Sequence, residues 1–247
     1  MATVGPEPPP PAEKEAREAM AVLAQDRPTT LIESVPAADP APLGLAAFAL
    51  TTFLLSGHGA SFIPDAIWIG PALFYGGIAQ MLAGMWEFRN RNVFGATAFS
   101  TYGGFWLALG SVVILADVSK TFAASLTGPN LYNALAWFFI AFAIFNTYML
   151  LWSIRVSVAV FGVFFTLEIT EIVLAIAYLH LAHGGSTYLL HVGGWCGVVT
   201  AAVAWYASAA GVINGMSPGR PVLPVGAAPV GRIGSPMPRR REKAEVI

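Results

Sequence analysis

The stretch Asp39-Pro40-Ala41-Pro42-Leu43-Gly44-Leu45-Ala46-Ala47-Phe48-Ala49-Leu50-Thr51-Thr52-Phe53-Leu54-Leu55-Ser56 decides how the rest of the chain is read. An aspartate carboxylate accepts backbone N–H bonds at a helix start, and a proline at the first helical position wastes no donor, so Asp39-Pro40 reads as an N-cap and helix entry. The apolar residues after it include Gly44, Ala46, Ala47 and Ala49, whose small side chains let a neighbouring backbone come close. On physical grounds this is a membrane helix with a shaped N-terminus.

Outward from it lie six apolar runs in all, at about 43–57, 67–88, 97–118, 131–154, 156–181 and 189–213. Each is near the roughly 20 residues that cross a bilayer, the first being short and extended through His58. The joining segments are brief and rich in Gly, Pro and Asn, as in Gly128-Pro129-Asn130 and Gly184-Gly185-Ser186. The expected fold is therefore an all-α integral membrane bundle of six helices, with a transmembrane domain over 39–215. Residues 1–38 read as a mostly disordered tail that lacks a signal-peptide core and has a possible helix at 12–25; residues 216–247 read as a second tail.

The composition agrees: 56% of the 247 residues are hydrophobic and 11% charged, which argues against a soluble globular domain. The charges concentrate in the tails and short loops. A net charge of −1 points to no nucleic-acid partner, and the one strongly basic cluster, Arg239 to Lys243, lies in the tail. Cys196 is the single cysteine and can form no intrachain disulfide. With six spans, Lys14, Arg17, Arg27, Arg89, Arg91, Arg155 and the basic residues from Arg220 to Lys243 fall on one side and only Lys120 on the other, which places both termini in the cytoplasm.

A charge inside a bilayer is costly, so mid-span ionisable residues are functional candidates. Glu168 and Glu171 lie three apart on one helical face of the fifth run, with Thr170 between them. Two carboxylates this close repel in a low dielectric, so one is expected to hold a proton, which suits proton handling; structural pairing with a hydroxyl or a neighbouring protomer is the other reading. Glu87 is expected in an interfacial ion pair, and Asp65 and Asp117 as caps. His180, His183 and His191 lack a further converging ligand, so neither a metal nor another cofactor is expected. Tyr and Trp at run ends, such as Trp68, Trp86 and Trp152, fit interfacial belts, and Ala79/Ala83 and Gly193/Gly197 fit helix packing. The chain has no Gly-rich phosphate loop, no Gly-x-Ser-x-Gly elbow and no Cys-x-x-Cys pair, and the lysines are Lys14, Lys120 and Lys243, none placed to hold retinal. An enzyme is not expected.

The opening stretch resembles the Asn-Pro-Ala-Pro-Leu-Gly-Leu signature of the acetate uptake transporter family, with Asp39 in place of its Asn. Further on, Phe74-Tyr75-Gly76-Gly77-Ile78-Ala79-Gln80, Trp86-Glu87, Tyr102-Gly103 with Phe105-Trp106, Gly194-Trp195 and Gly219-Arg220-Pro221-Val222-Leu223-Pro224 are similar to the family's later motifs. The resemblance covers about residues 39–226. It implies a hexameric plasma-membrane carrier or channel for acetate and related short carboxylates, each protomer having a pathway narrowed by an aromatic and aliphatic constriction. Its counterparts here would be Phe48, Tyr102 and Leu167, which the residues alone read as ordinary helix packing. Asp39, Pro40 and Pro42 would form the mouth, where Asp39 adds a negative charge; Glu168 and Glu171 stand where relatives more often carry uncharged residues. An apolar throat passes a small acid most readily once its charge is neutralised, hence the expectation of proton coupling. A pore for a neutral or cationic solute and a non-transporting sensor or scaffold are the alternatives.

Overall fold

The computed structural model describes residues 10–25, 37–64, 67–217 and 219–230. Asp65, Arg27 and the basic cluster from Arg239 lie outside them. All regular structure among the described residues is helical: α1 (Pro11–Gln25), α2 (Ala41–Gly59), α3 (Ile69–Leu73), a π-helical segment (Phe74–Ala79), α4 (Gln80–Arg89), α5 (Val93–Val118), α6 (Lys120–Ser125), α7 (Pro129–Ser153), α8 (Val158–Ala182) and α9 (Tyr188–Gly215). The first 36 residues, with α1, form one unit and the remainder a second.

Five of these helices, α2, α5, α7, α8 and α9, are long and apolar enough to cross a membrane. The apolar run 67–88 does not form one continuous α-helix. It is divided into α3, the π segment and α4, and within the π segment Gly76 and Gly77 leave out side chains where neighbours press in. A Cβ on Gly76 would lie 2.6 Å from Thr51 Oγ1 of α2, and one on Gly77 would lie 2.7 Å from Leu107 Cδ2 of α5. A π-turn widens the helix by one residue and re-aims the next turn, which begins here at Gln80.

Local signals set the helix ends. Asp39 does accept a backbone N–H, that of Ala41 at 2.9 Å, but the helix begins one residue later than expected, with Pro40 as the buried boundary residue and Pro42 in the first turn. Asn92 Oδ1 accepts from Gly95 N at 3.2 Å to start α5, and Ser157 Oγ from Val160 N at 3.1 Å to start α8. Ser119, rather than Asp117, caps α6 through Phe122 N at 3.3 Å.

The packing runs α2 against α9, α9 against α8, α8 against α7, and α4 against α5, with the π segment between α2 and α5. Glycines permit the tightest crossing. A Cβ at Gly194 of α9 would meet Ala60 N at 2.5 Å, and Gly197 faces Ser56 of α2. At the opposite end of the same pair, Ser208 Oγ donates to Pro42 O at 2.7 Å. Trp68, expected in an interfacial belt, is instead buried in the core, whereas Trp86 and Trp152 are exposed. Beyond α9 the chain folds back: Asn214 Oδ1 accepts from Val222 N and Leu223 N, Asn214 Nδ2 donates to Leu223 O, and Ala159 N at the start of α8 donates to Val225 O.

Candidate substrate pathway

Phe48 of α2, Tyr102 of α5 and Leu167 of α8 are all buried and meet at one level of the bundle. The Phe48 and Tyr102 rings stand edge to face with centroids 5.7 Å apart. The three side chains line two small cavities at once. One, of about 30 Å³, continues past Thr52, Ser56, Thr170 and Glu171. The other, of about 20 Å³, is walled by Leu45, Gln80, Phe99 and Phe164. Each has room for roughly one or two waters, at about 10–15 Å³ per water on this measure. Phe48, Tyr102 and Leu167 are therefore the partition between them.

The first small cavity shares Leu55, Ser56, Phe139 and Leu174 with a larger one of about 230 Å³ at the end of the bundle where α2 finishes and α9 begins. That vestibule is bordered by His58, Ser61, Thr187 and His191. Asp39 and Pro42 lie at the other end, lining an open groove of about 590 Å³ against Ser208 and Gly211 of α9. Neither residue lines the cavities beside the partition.

A hydrogen-bonded network backs the partition. Tyr102 Oη lies 3.0 Å from Asn146 Oδ1 and 3.2 Å from Glu171 Oε1. Asn146 Nδ2 donates to Phe164 O at 2.9 Å and to Glu168 Oε2 at 2.6 Å. Thr147 Oγ1 lies 2.7 Å from Glu168 Oε1 and 2.8 Å from Ala143 O, and Thr170 Oγ1 shares a 3.0 Å hydrogen bond with Thr200 Oγ1 of α9. The two glutamates thus face different surroundings although one helix carries both. Glu171 is 2% exposed, on the cavity wall, with Oε2 unpartnered. Glu168 is half-buried against α7, with both oxygens bonded.

Sequence reasoning misses Asn146, which is fully buried on α7. The signal is present: an amide in the middle of an apolar span is nearly as conspicuous as a charge, since its four hydrogen-bonding positions all need partners in the absence of water. Gln80, 1% exposed, enters the sequence reading only as part of a motif, and its Oε1 has no partner. Glu87 departs from expectation. Instead of pairing with an arginine it is buried, with Oε2 accepting from Asn92 Nδ2 at 3.0 Å. The histidines do not converge: His191 Nε2 meets Ser61 Oγ at 2.9 Å, His183 Nδ1 meets Leu179 O at 2.8 Å, and His180 packs beside Gly185.

Five long apolar helices, packed around small internal cavities, define a multi-pass membrane protein. Residues 25–218 match the GPR1/FUN34/yaaH family, and the chain belongs to it. It is 38% identical over 225 residues to acetate permease A of Emericella nidulans, covering 87% of this chain and 73% of that protein. It is 35% identical over 190 residues to the succinate-acetate/proton symporter SatP of Escherichia coli K12, covering 76% of this chain and 95% of that one. A solved structure described as the bacterial acetate channel SatP superposes with a TM-score of 0.69 at 34% identity, covering 77% of this chain and 99% of its own. The resemblance read from the sequence motifs therefore holds, and the family is one of transporters and channels rather than enzymes.

Proposed function

We propose that this protein moves acetate and related short carboxylates, succinate among them, across the membrane in company with protons. The observation that carries the reading is the partition of Phe48, Tyr102 and Leu167 between two cavities of about 30 and 20 Å³, with a buried carboxyl, Glu171, on the wall of one. A bare carboxylate loses its hydration in such a space, whereas the protonated acid carries little penalty. Glu168 and Glu171 are the proton-handling groups in this reading, and Asp39, Pro40 and Pro42 shape the far mouth. The names of the relatives, an acetate permease, a succinate-acetate/proton symporter and an acetate channel, support the substrate class.

In this reading α3, the π segment and α4 together make the sixth crossing, both termini are cytoplasmic, and residues 1–38 and 216–247 are cytoplasmic tails around a transport domain of 39–215. The distribution of arginine and lysine supports that orientation. The protein works in the plasma membrane as a homo-hexamer with one path per protomer, as the family resemblance implies. The surplus of acidic groups at Asp39, Glu168 and Glu171 favours a second reading, a pore for a neutral or cationic solute.

The test is uptake of labelled acetate into proteoliposomes with and without an inward proton gradient, comparing the native chain with Glu168→Gln. Gradient-driven accumulation that the substitution abolishes in a folded protein supports the proposal. Equal, gradient-independent flux in both would remove Glu168 from proton handling, and flux of methylammonium without acetate would favour the second reading.

A further inference from the structure

The donor count around Asn146 limits what this network can do. Its two amide hydrogens go to Phe164 O, an acceptor only, and to Glu168 Oε2, the oxygen of that carboxyl with no other donor on it. That fixes the amide orientation, since flipping it would set the carbonyl oxygen against a carboxylate and a backbone carbonyl. Asn146 Oδ1 therefore faces Tyr102 Oη as an acceptor, at 3.0 Å. Glu171 Oε1 faces the same hydroxyl from 3.2 Å. Tyr102 has one hydrogen to give.

With Glu171 ionised, two acceptors compete for that hydrogen and one loses it inside the packed bundle, which is costly. With a proton on Glu171 Oε1 the conflict disappears. Glu171 then donates to Tyr102, Tyr102 to Asn146, and Asn146 to Glu168, in one continuous chain from α8 through α5 and α7 back to α8. We propose that Asn146 is a positioning residue that makes the hold on Tyr102, a wall of the partition, depend on whether Glu171 carries a proton. This rests on the proton-linked reading of the pathway and adds its mechanical link: the proton completes the chain and fixes the phenol ring, and its departure leaves the ring with two competing partners.

The ionisable groups facing Tyr102 and Glu171 are Glu168 on α8 and Tyr148 on α7. From the other elements around that cavity, α2 presents Thr52 and Ser56, and α9 presents Thr200 through Thr170. None of these three ionises near neutrality.

The experiment measures acetate flux in proteoliposomes across a pH series for the native full-length chain, Asn146→Ala, Tyr102→Phe and Glu171→Gln. Asn146→Ala frees the Tyr102 hydrogen for ionised Glu171, so the midpoint of the flux–pH curve should move to lower pH, by about one unit. Tyr102→Phe removes that hydrogen, so the midpoint should move to higher pH. Glu171→Gln should flatten the curve, and adding Asn146→Ala to it should shift nothing further. A residue that merely supports the fold would lower flux alike at every pH, so midpoints that stay put, or that move the same way in both variants, would overturn the proposal while leaving pH-dependent acetate transport standing. A native chain with no pH-dependent acetate flux would overturn both. If Asn146→Ala does not fold, Asn146→Leu, which fills the space without an acceptor for Tyr102, carries the same expected acid shift and the same overturning result.

Discussion

Glu171 and Glu87 are buried to the same degree, each 2% exposed, and each has one oxygen bonded and the other unpartnered. Their surroundings separate them. Glu171 takes its bond from a partition residue, Tyr102, and stands on a cavity wall in mid-bundle. Glu87 takes its bond from Asn92 at the corner between α4 and α5, and its free oxygen packs on Gly95, where a Cβ would lie 2.7 Å from Oε1. A buried carboxyl beside open space can exchange a proton with whatever passes; one wedged into a helix corner ties the corner together. Burial alone therefore does not tell the two carboxyls apart, and access to a cavity does.

The sharpest way to break that distinction is to neutralise each group in turn. Glu171→Gln should reduce gradient-driven acetate accumulation by about tenfold or more while the protein stays monodisperse in detergent. Glu87→Gln should leave the flux–pH curve where it was and lower the unfolding free energy by roughly 1 kcal/mol, read from thermal unfolding. If Glu87→Gln flattens the pH dependence, the corner carboxyl belongs to the proton path and the contrast fails.

Crowding the corner should act on stability without touching flux. Gly95→Ala sets a methyl against Glu87 Oε1 and Asn92 Nδ2, each at 2.7 Å, and should cost about 1–3 kcal/mol. In a Glu87→Ala background the same change should cost clearly less, because the two sites share one contact. Equal costs in both backgrounds would show that Glu87 does not hold the corner.

The long helices are legible in the sequence because about 20 consecutive apolar residues have few other uses, and Glu168 and Glu171 are conspicuous there because carboxylates are rare in such runs. The meeting of Phe48, Tyr102 and Leu167 is reachable only through family motifs, since each alone is an ordinary packing residue. Gly76-Gly77 in the second run is visible, yet which neighbours demand the space, Thr51 and Leu107, depends on tertiary contacts. Glu87 misleads for a related reason. Its chain neighbour Arg89 suggests an ion pair, but the turn after α4 brings Asn92 within 3.0 Å and turns the carboxyl inward.

The smallest effect belongs to Asp39, which ties the corner to the mouth. Its carboxylate accepts from Ala41 N at 2.9 Å, and its charge acts on Glu87, while Asn90 Nδ2 reaches Ala38 O at 3.5 Å across the same gap. Asp39→Asn keeps the bond from Ala41 N, because the asparagine side-chain oxygen makes the same contact two residues along the chain. It removes one like charge from beside Glu87 and one negative charge from the mouth. Unfolding stability should change by no more than about 0.5 kcal/mol, in the stabilising direction, and acetate flux should rise by about twofold at low ionic strength and by less at high salt, where exposed charges are screened. A fall in flux at every salt concentration would mean that the carboxylate serves the path itself, and the separation drawn between a working centre and a structural end would have to be redrawn to include the mouth.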